Sequence, residues 1–222
     1  MEFIFMLTHD DRTVGNAMAV YRTLAGSDLR LIGFKDVGVD GTALSELTKA
    51  MHDDGRTVFL EVVSTSRDAE LHSIEAALEV GVDYIMGGTH VDDALALIVE
   101  AEVSYLPFPG TVIGHPSILE GSLDEIADHA ARLTARPGVT GLDLLAYRHR
   151  TVDPIALTEA VVAAASGPVV AAGSVDSAER IRALAGAGVW AFTIGGAIFE
   201  HRLPGAPSIP DQVNWVLEVA GQ

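Results

Sequence analysis

Pro168-Val-Val-Ala-Ala-Gly-Ser-Val175 and Trp190-Ala-Phe-Thr-Ile-Gly-Gly-Ala197 are two short apolar runs that each end in small residues. Strands buried on both faces of a parallel sheet read this way, without the alternation of a half-exposed strand. The small residues fall where each strand opens into a loop, so bare backbone N–H groups can face a ligand. Between the two runs, Asp176-Ser-Ala-Glu179 leads into an amphipathic stretch from Ile181 to Ala187. Ser174, Asp176 and Ser177 are candidate caps for its start, and Gly186 and Gly188 for its end. The unit is strand, Gly-Ser turn, helix, strand, Gly-Gly turn, short helix.

That order resembles the phosphate-binding end of the ribulose-phosphate-binding (β/α)8 barrels, in which the loops after strands seven and eight and a short extra helix hold a phosphate. The resemblance implies that Gly173, Ser174, Gly195 and Gly196 bind the phosphate of a small phosphorylated substrate. The physics agrees with it: glycine lets the backbone approach an anion, and a helix N-terminus attracts one. The specific motif spans Pro168 to about Phe199, while the likeness in architecture extends over the whole chain.

The rest of the chain repeats the same alternation. Apolar runs at Glu2–Leu7, Leu29–Phe34, Thr57–Val62, Tyr84–Gly87, Val103–Pro107, Gly141–Leu145, Val169–Ala172 and Ala191–Ile194 predict eight strands. Helical patterns at Val14–Leu24, Ala43–His52, Ala69–Glu79, Val91–Glu100, Leu123–Leu133, Pro154–Ala165, Ala178–Ala187 and Pro210–Ala220 follow them in turn. Ser122-Leu-Asp-Glu125 is a capping box, and Gly55, Gly81 and Gly138 stand where helices end. Strand and helix alternating without a composition shift predict a parallel sheet with right-handed crossovers. The expectation is one domain over residues 1–222, an α/β (β/α)8 TIM barrel of the ribulose-phosphate-binding type, with a doubly wound open sheet as the structural alternative.

Composition bounds the function. The chain has 222 residues, 49% of them hydrophobic, enough to bury a large core. Its net charge of −17 argues against nucleic acid or an anionic membrane as partner. There is no apolar run long enough to span a bilayer, Met1-Glu-Phe-Ile-Phe-Met6 is expected to be a first strand rather than a signal peptide, and the absence of cysteine excludes disulfides and thiol chemistry. A cytoplasmic protein is expected, and the apolar composition suits a homo-oligomer. An acidic chain that binds a phosphate must do so locally, through glycine amides.

In such a barrel the reacting groups come from the strand ends. Lys35, in Gly33-Phe-Lys-Asp36, is one of two lysines against twelve arginines. Desolvation at a strand end favours its neutral amine for Schiff-base attack, and kept charged it would stabilise an enolate or carboxylate. Glu61 is an acid inside the apolar run Val58–Val63, which calls for a partner, and Lys35 on the next strand is the natural one. Asp10 is a candidate general base, whereas Asp11 reads as a cap for the first helix. His90, after Gly87-Gly-Thr89, is a candidate acid or base, and with Lys35, Glu61 and Asp10 completes the catalytic set. His9, His115 in the long loop Pro107–Gly121, and Arg148 are candidates for holding substrate. His52, His72, His129, His149 and His201 read as surface residues.

No metal or other cofactor is expected, because strand seven ends in Ala-Ala-Gly-Ser and there is no local ligand pair such as HExxH. The resulting expectation is isomerisation or C–C bond cleavage of a sugar phosphate or related carbonyl compound. A phosphate-metabolite sensor without chemistry and a metal-dependent epimerase are the alternatives.

Overall fold

The computed structural model describes residues 1–64, 66–204 and 208–221. Eight parallel strands are joined in chain order: β1 (Glu2–Met6), β2 (Leu31–Lys35), β3 (Thr57–Val62), β4 (Tyr84–Gly87), β5 (Ser104–Leu106), β6 (Leu142–Leu144), β7 (Val169–Ala171) and β8 (Ala191–Ile194). Strand β8 pairs with β1, and the sheet runs on through β7 to β6 at one side and through β2 to β5 at the other. Between β5 and β6 the Thr140 N–H donates to the Tyr105 carbonyl (2.9 Å) and the Asp143 N–H to that of Pro107 (3.1 Å), closing the circle. The open-sheet alternative is thereby excluded. All eight predicted strands are present.

The helices lie outside the strands. They are α1 (Ala17–Arg22), α2 (Gly41–Asp53), α3 (Arg67–Val80), α4 (Val91–Ile98), α5 (Leu123–Thr134), α6 (Pro154–Ala164), α7 (Ala178–Gly186), the one-turn α8 (Gly196–Phe199) and α9 (Ile209–Ala220). The Ser122–Glu125 capping box starts α5, Ser177 caps α7, and Gly81 ends α3 in the left-handed conformation. Each of these local signals was readable because it depends only on neighbours a few residues away.

Strand parity decides what faces inward. Phe3, Phe5, Ile32, Phe34, Val58 and Leu60 point to the helices and form the main core. The other parity fills the barrel. Ile4, Met6, Leu31, Phe59, Met86, Leu106, Val170 and Ala191 make an apolar plug, with the Phe59 and Tyr84 rings stacked at 4.5 Å. One step further along the same parity come Lys35 and Glu61, paired in register across β2 and β3. The plug thus forms a dry floor beneath the charged end of the barrel.

Candidate active site

Lys35 is held at the end of β2 by Thr13, whose hydroxyl donates to the Lys35 carbonyl (2.8 Å) and accepts from the Lys35 N–H (2.9 Å). The Lys35 side chain, 4% exposed, reaches two carboxylates: Asp11 Oδ1 at 2.7 Å and Glu61 Oε2 at 3.3 Å. Lys35 is thus the partner that the buried position of Glu61 demanded.

Asp11 differs from its expected role. It does not cap the first helix; that position belongs to Asn16, which makes no side-chain capping bond. Instead Thr8–His9 and Arg12–Thr13 form a tight antiparallel hairpin, with Asp10 and Asp11 at its turn, both at positive φ (49° and 56°). Positive φ at both central residues is the type I′ hairpin geometry, and Asp tolerates it better than most side chains. The turn folds Asp11 back over the barrel and leaves Asp10, with 81% of its side chain exposed, at the outer rim.

Arg148 completes the cluster from the 3-10 turn Ala146–Arg148 after β6. Its Nη1 donates to Asp11 Oδ2 (2.7 Å) and its Nη2 to Asp11 Oδ1 (2.8 Å), the two-pronged geometry that only a guanidinium provides. Burial alone raises the pKa of Asp11, but the hydrogen bonds and charges of Arg148 and Lys35 outweigh it and hold the carboxyl far below the ordinary range.

These groups open into a cavity of about 420 Å3. Its lining includes Asp10, Asp11, Lys35, Glu61 and Arg148 on one side, and Gly173, Ser174, Gly195 and Gly196 on the other. The two glycine turns therefore face the lysine across one cavity. Glycine is needed at two of these positions for steric reasons: a Cβ on Gly173 would lie 2.3 Å from Arg148 Nε, and one on Gly195 would lie 2.5 Å from Thr8 Oγ1. Arg202, which the sequence does not single out, also lines the cavity, with its Nε 2.6 Å from Glu200 and its Nη1 3.6 Å from Asp176.

The remaining candidates sit apart from this cluster. His90 is not among the cavity residues. It stands at the start of α4, where its Nδ1 lies 2.7 Å from the buried Glu70 carboxylate, which also accepts from the N–H groups of Thr89 and His90. His9 lies on the rim between Asp10 (3.4 Å) and Glu200 (3.3 Å). Among the described residues these three have ligand atoms close enough to hold a metal ion; His9 is half-buried, and Asp10 and Glu200 are exposed. His115 is exposed, while Pro116, Ser117 and Ile118 beside it line the cavity. The long loop containing them forms a short hairpin, Thr111–Ile113 with Ile118–Glu120, and Arg148 donates to the Ser117 carbonyl at 3.3 Å. His129 and His149 are not plain surface residues: both are half-buried, the first accepting from the Gly110 N–H (2.9 Å), the second lying 2.8 Å from the Gly121 carbonyl oxygen.

Among the described residues no helix is long and apolar enough to cross a membrane. No protein-family model and no curated protein matches the sequence. Solved structures do match the fold. Orotidine 5'-phosphate decarboxylase from Pyrococcus horikoshii OT3 aligns over 99% of both chains, with a TM-score of 0.70 and 12% identity. The tryptophan synthase alpha chain from Legionella pneumophila subsp. pneumophila aligns over 99% of this chain and 91% of that one (TM-score 0.69, 10% identity). N-acetylmannosamine-6-phosphate 2-epimerase from Clostridium perfringens aligns over 88% and 86% (TM-score 0.65, 11% identity). In fold the chain is a (β/α)8 barrel, the architecture it shares with these structures.

Proposed function

We propose that this protein is an enzyme acting on a small phosphorylated sugar or carbonyl compound, by isomerisation or C–C bond cleavage next to the carbonyl. The observation that carries the reading is the shared cavity: a desolvated Lys35–Glu61 pair on one side and the Gly173-Ser174 and Gly195-Gly196 turns on the other. The phosphate would lie against the turns, where the first amides of α8 have no partner within the helix. Arg202, already engaged by two rim carboxylates, adds positive charge at that end. Two structural neighbours support the reading, since they carry names of enzymes with phosphorylated substrates, an epimerase and a decarboxylase.

Lys35 and Glu61 divide the proposed chemistry. A carboxylate within reach of the carbon next to a carbonyl serves as base, and an ammonium beside the carbonyl oxygen stabilises the enolate that forms. A Schiff base would require Lys35 to leave both carboxylates as a neutral amine; the ion pairs favour the electrostatic role. Asp11 and Arg148 hold Lys35 in place. His90 has no step in this scheme, and Asp10, His9 and His115 are left at the rim as substrate contacts.

The test is a thermal-shift series with inorganic phosphate, sugar phosphates and the unphosphorylated sugars, followed by turnover assays with whichever phosphate stabilises the chain. A ligand at 100 times its dissociation constant adds about 2.7 kcal/mol of stability. Stabilisation confined to phosphorylated compounds, with turnover of one, is expected. Stabilisation with no turnover of any of them would establish the sensor, and no stabilisation by millimolar phosphates would end both readings.

A further inference from the structure

The barrel interior contains a third carboxyl that the proposed chemistry does not use. Asp143 lies midway along β6, in register with Val170 of β7. Its side chain is wholly buried, and neither carboxyl oxygen has a hydrogen-bond partner. The ionisable groups facing it are Glu61 from β3, Lys35 from β2 and Arg148 from the turn after β6. The interior residues of the flanking strands, Val170 and Leu106, are apolar.

Both cations are already committed. Lys35 pairs with Asp11 and Glu61, and Arg148 grips Asp11 and the Ser117 carbonyl. Two cations against Asp11 and Glu61 sum to zero. A third ionised carboxyl would be an unpaired charge in a dry interior, which is among the least favourable arrangements a protein can hold.

We propose that Asp143 is a neutral carboxylic acid, a positioning residue that keeps the Lys35–Glu61–Asp11–Arg148 cluster electrically balanced for an anionic substrate. Burial first, and the like charge of Glu61 second, push its carboxyl well above the ordinary range, against the opposing pull of Lys35 and Arg148. Resting on the sugar-phosphate reading, the consequence is an alkaline limit on turnover. Once Asp143 ionises, net negative charge appears beneath the cavity, opposing a phosphate and weakening the electrostatic role of Lys35.

The charge state also has a signature that needs no substrate. Asp143 keeps in the folded state a proton that the unfolded chain releases near pH ~3.9. Above that pH the folded state binds the extra proton, so this group makes stability fall as pH rises toward its folded pKa.

The experiment is infrared spectroscopy at neutral pH of protein labelled with 13C at the aspartate carboxyl, for the wild type and Asp143→Asn, with Asp143→Leu as a second variant should the first not fold. The expected result is an isotope-shifted carbonyl stretch of a protonated acid in the wild type that either variant loses. Absence of that band, or its persistence in the variant, overturns the proposal. Where turnover is measurable, its alkaline limb should move to higher pH in Asp143→Asn, and an unmoved limb overturns the balancing role. A chain without turnover would sink the sugar-phosphate reading alone, leaving the spectrum to decide the charge of Asp143.

Discussion

Arg148 and Lys35 share one carboxylate: Asp11 takes both prongs of the guanidinium, at 2.7 and 2.8 Å, and the lysine ammonium at 2.7 Å. The three residues come from the turn after β6, the hairpin after β1 and the end of β2. A single acid therefore ties together parts of the barrel that are 137 and 24 residues apart in sequence. It also fixes the position of the lysine relative to Glu61.

Removing the fork should loosen this tie. Arg148→Met leaves Asp11 with only Lys35, and breaking a buried pair from one side costs about 3–5 kcal/mol. Urea denaturation should show the midpoint fall accordingly. Arg148→Lys should recover only part of the loss, since an ammonium cannot make the two-pronged contact. Equal midpoints for wild type and Arg148→Met would mean that the cluster contributes nothing to the fold.

Lys35→Met separates binding from chemistry. The glycine turns proposed to hold phosphate lie across the cavity from Lys35, so affinity for inorganic phosphate should change by less than about threefold, worth less than 0.7 kcal/mol. Turnover of the substrate should fall by about a thousandfold or more, the scale for losing a preorganised electrostatic group. Substantial turnover in Lys35→Met would remove the lysine from the reacting centre.

Gly195→Ala tests the backbone at the proposed phosphate end. The added Cβ would stand 2.5 Å from Thr8 Oγ1 and 2.7 Å from the Thr8 carbonyl oxygen, so the turn must shift. Calorimetric titration should show phosphate affinity down by at least about tenfold, or 1.4 kcal/mol. Unaltered affinity would show that phosphate binds elsewhere.

Asp11 predicts the acid side of the stability profile. Its folded pKa is depressed, so its contribution is fully present above the unfolded value, near pH ~3.9, and is lost as pH falls through the folded value. Asp11→Asn removes that titration. Its stability should be lower at pH 7 and less steeply dependent on pH in the acid range, as read from denaturant midpoints. Parallel profiles for the two proteins would contradict the assignment.

His90 provides the control. Its ring is tied to Glu70 at the start of α4 and lies outside the cavity lining. His90→Gln should keep turnover within about threefold, or 0.7 kcal/mol. A loss comparable to that of Lys35→Met would bring His90 back into the proposed reaction.

Sequence alone determined the barrel and named several of the residues that line its cavity. Apolar runs at strand length, helix caps and C-terminal glycines are local patterns, so all eight strands could be placed before any contact was known. Lys35 and Glu61 were visible because a charged side chain inside an apolar run requires a partner on the neighbouring strand. Asp143 carries the same signal within Gly141-Leu-Asp-Leu-Leu145, yet no sequence rule distinguishes a paired buried acid from an orphaned one. That difference depends on which cations are already taken. Likewise, Asp10 and Asp11 are identical neighbours in the chain. Only the positive-φ hairpin turn sends one into the cluster and the other to solvent. His90 sits at a strand end as a reacting group should, but Glu70, twenty residues earlier, holds its ring. Local patterns set the elements; the closure of the barrel decided which charges meet, because ion pairing depends on distances that chain order does not encode.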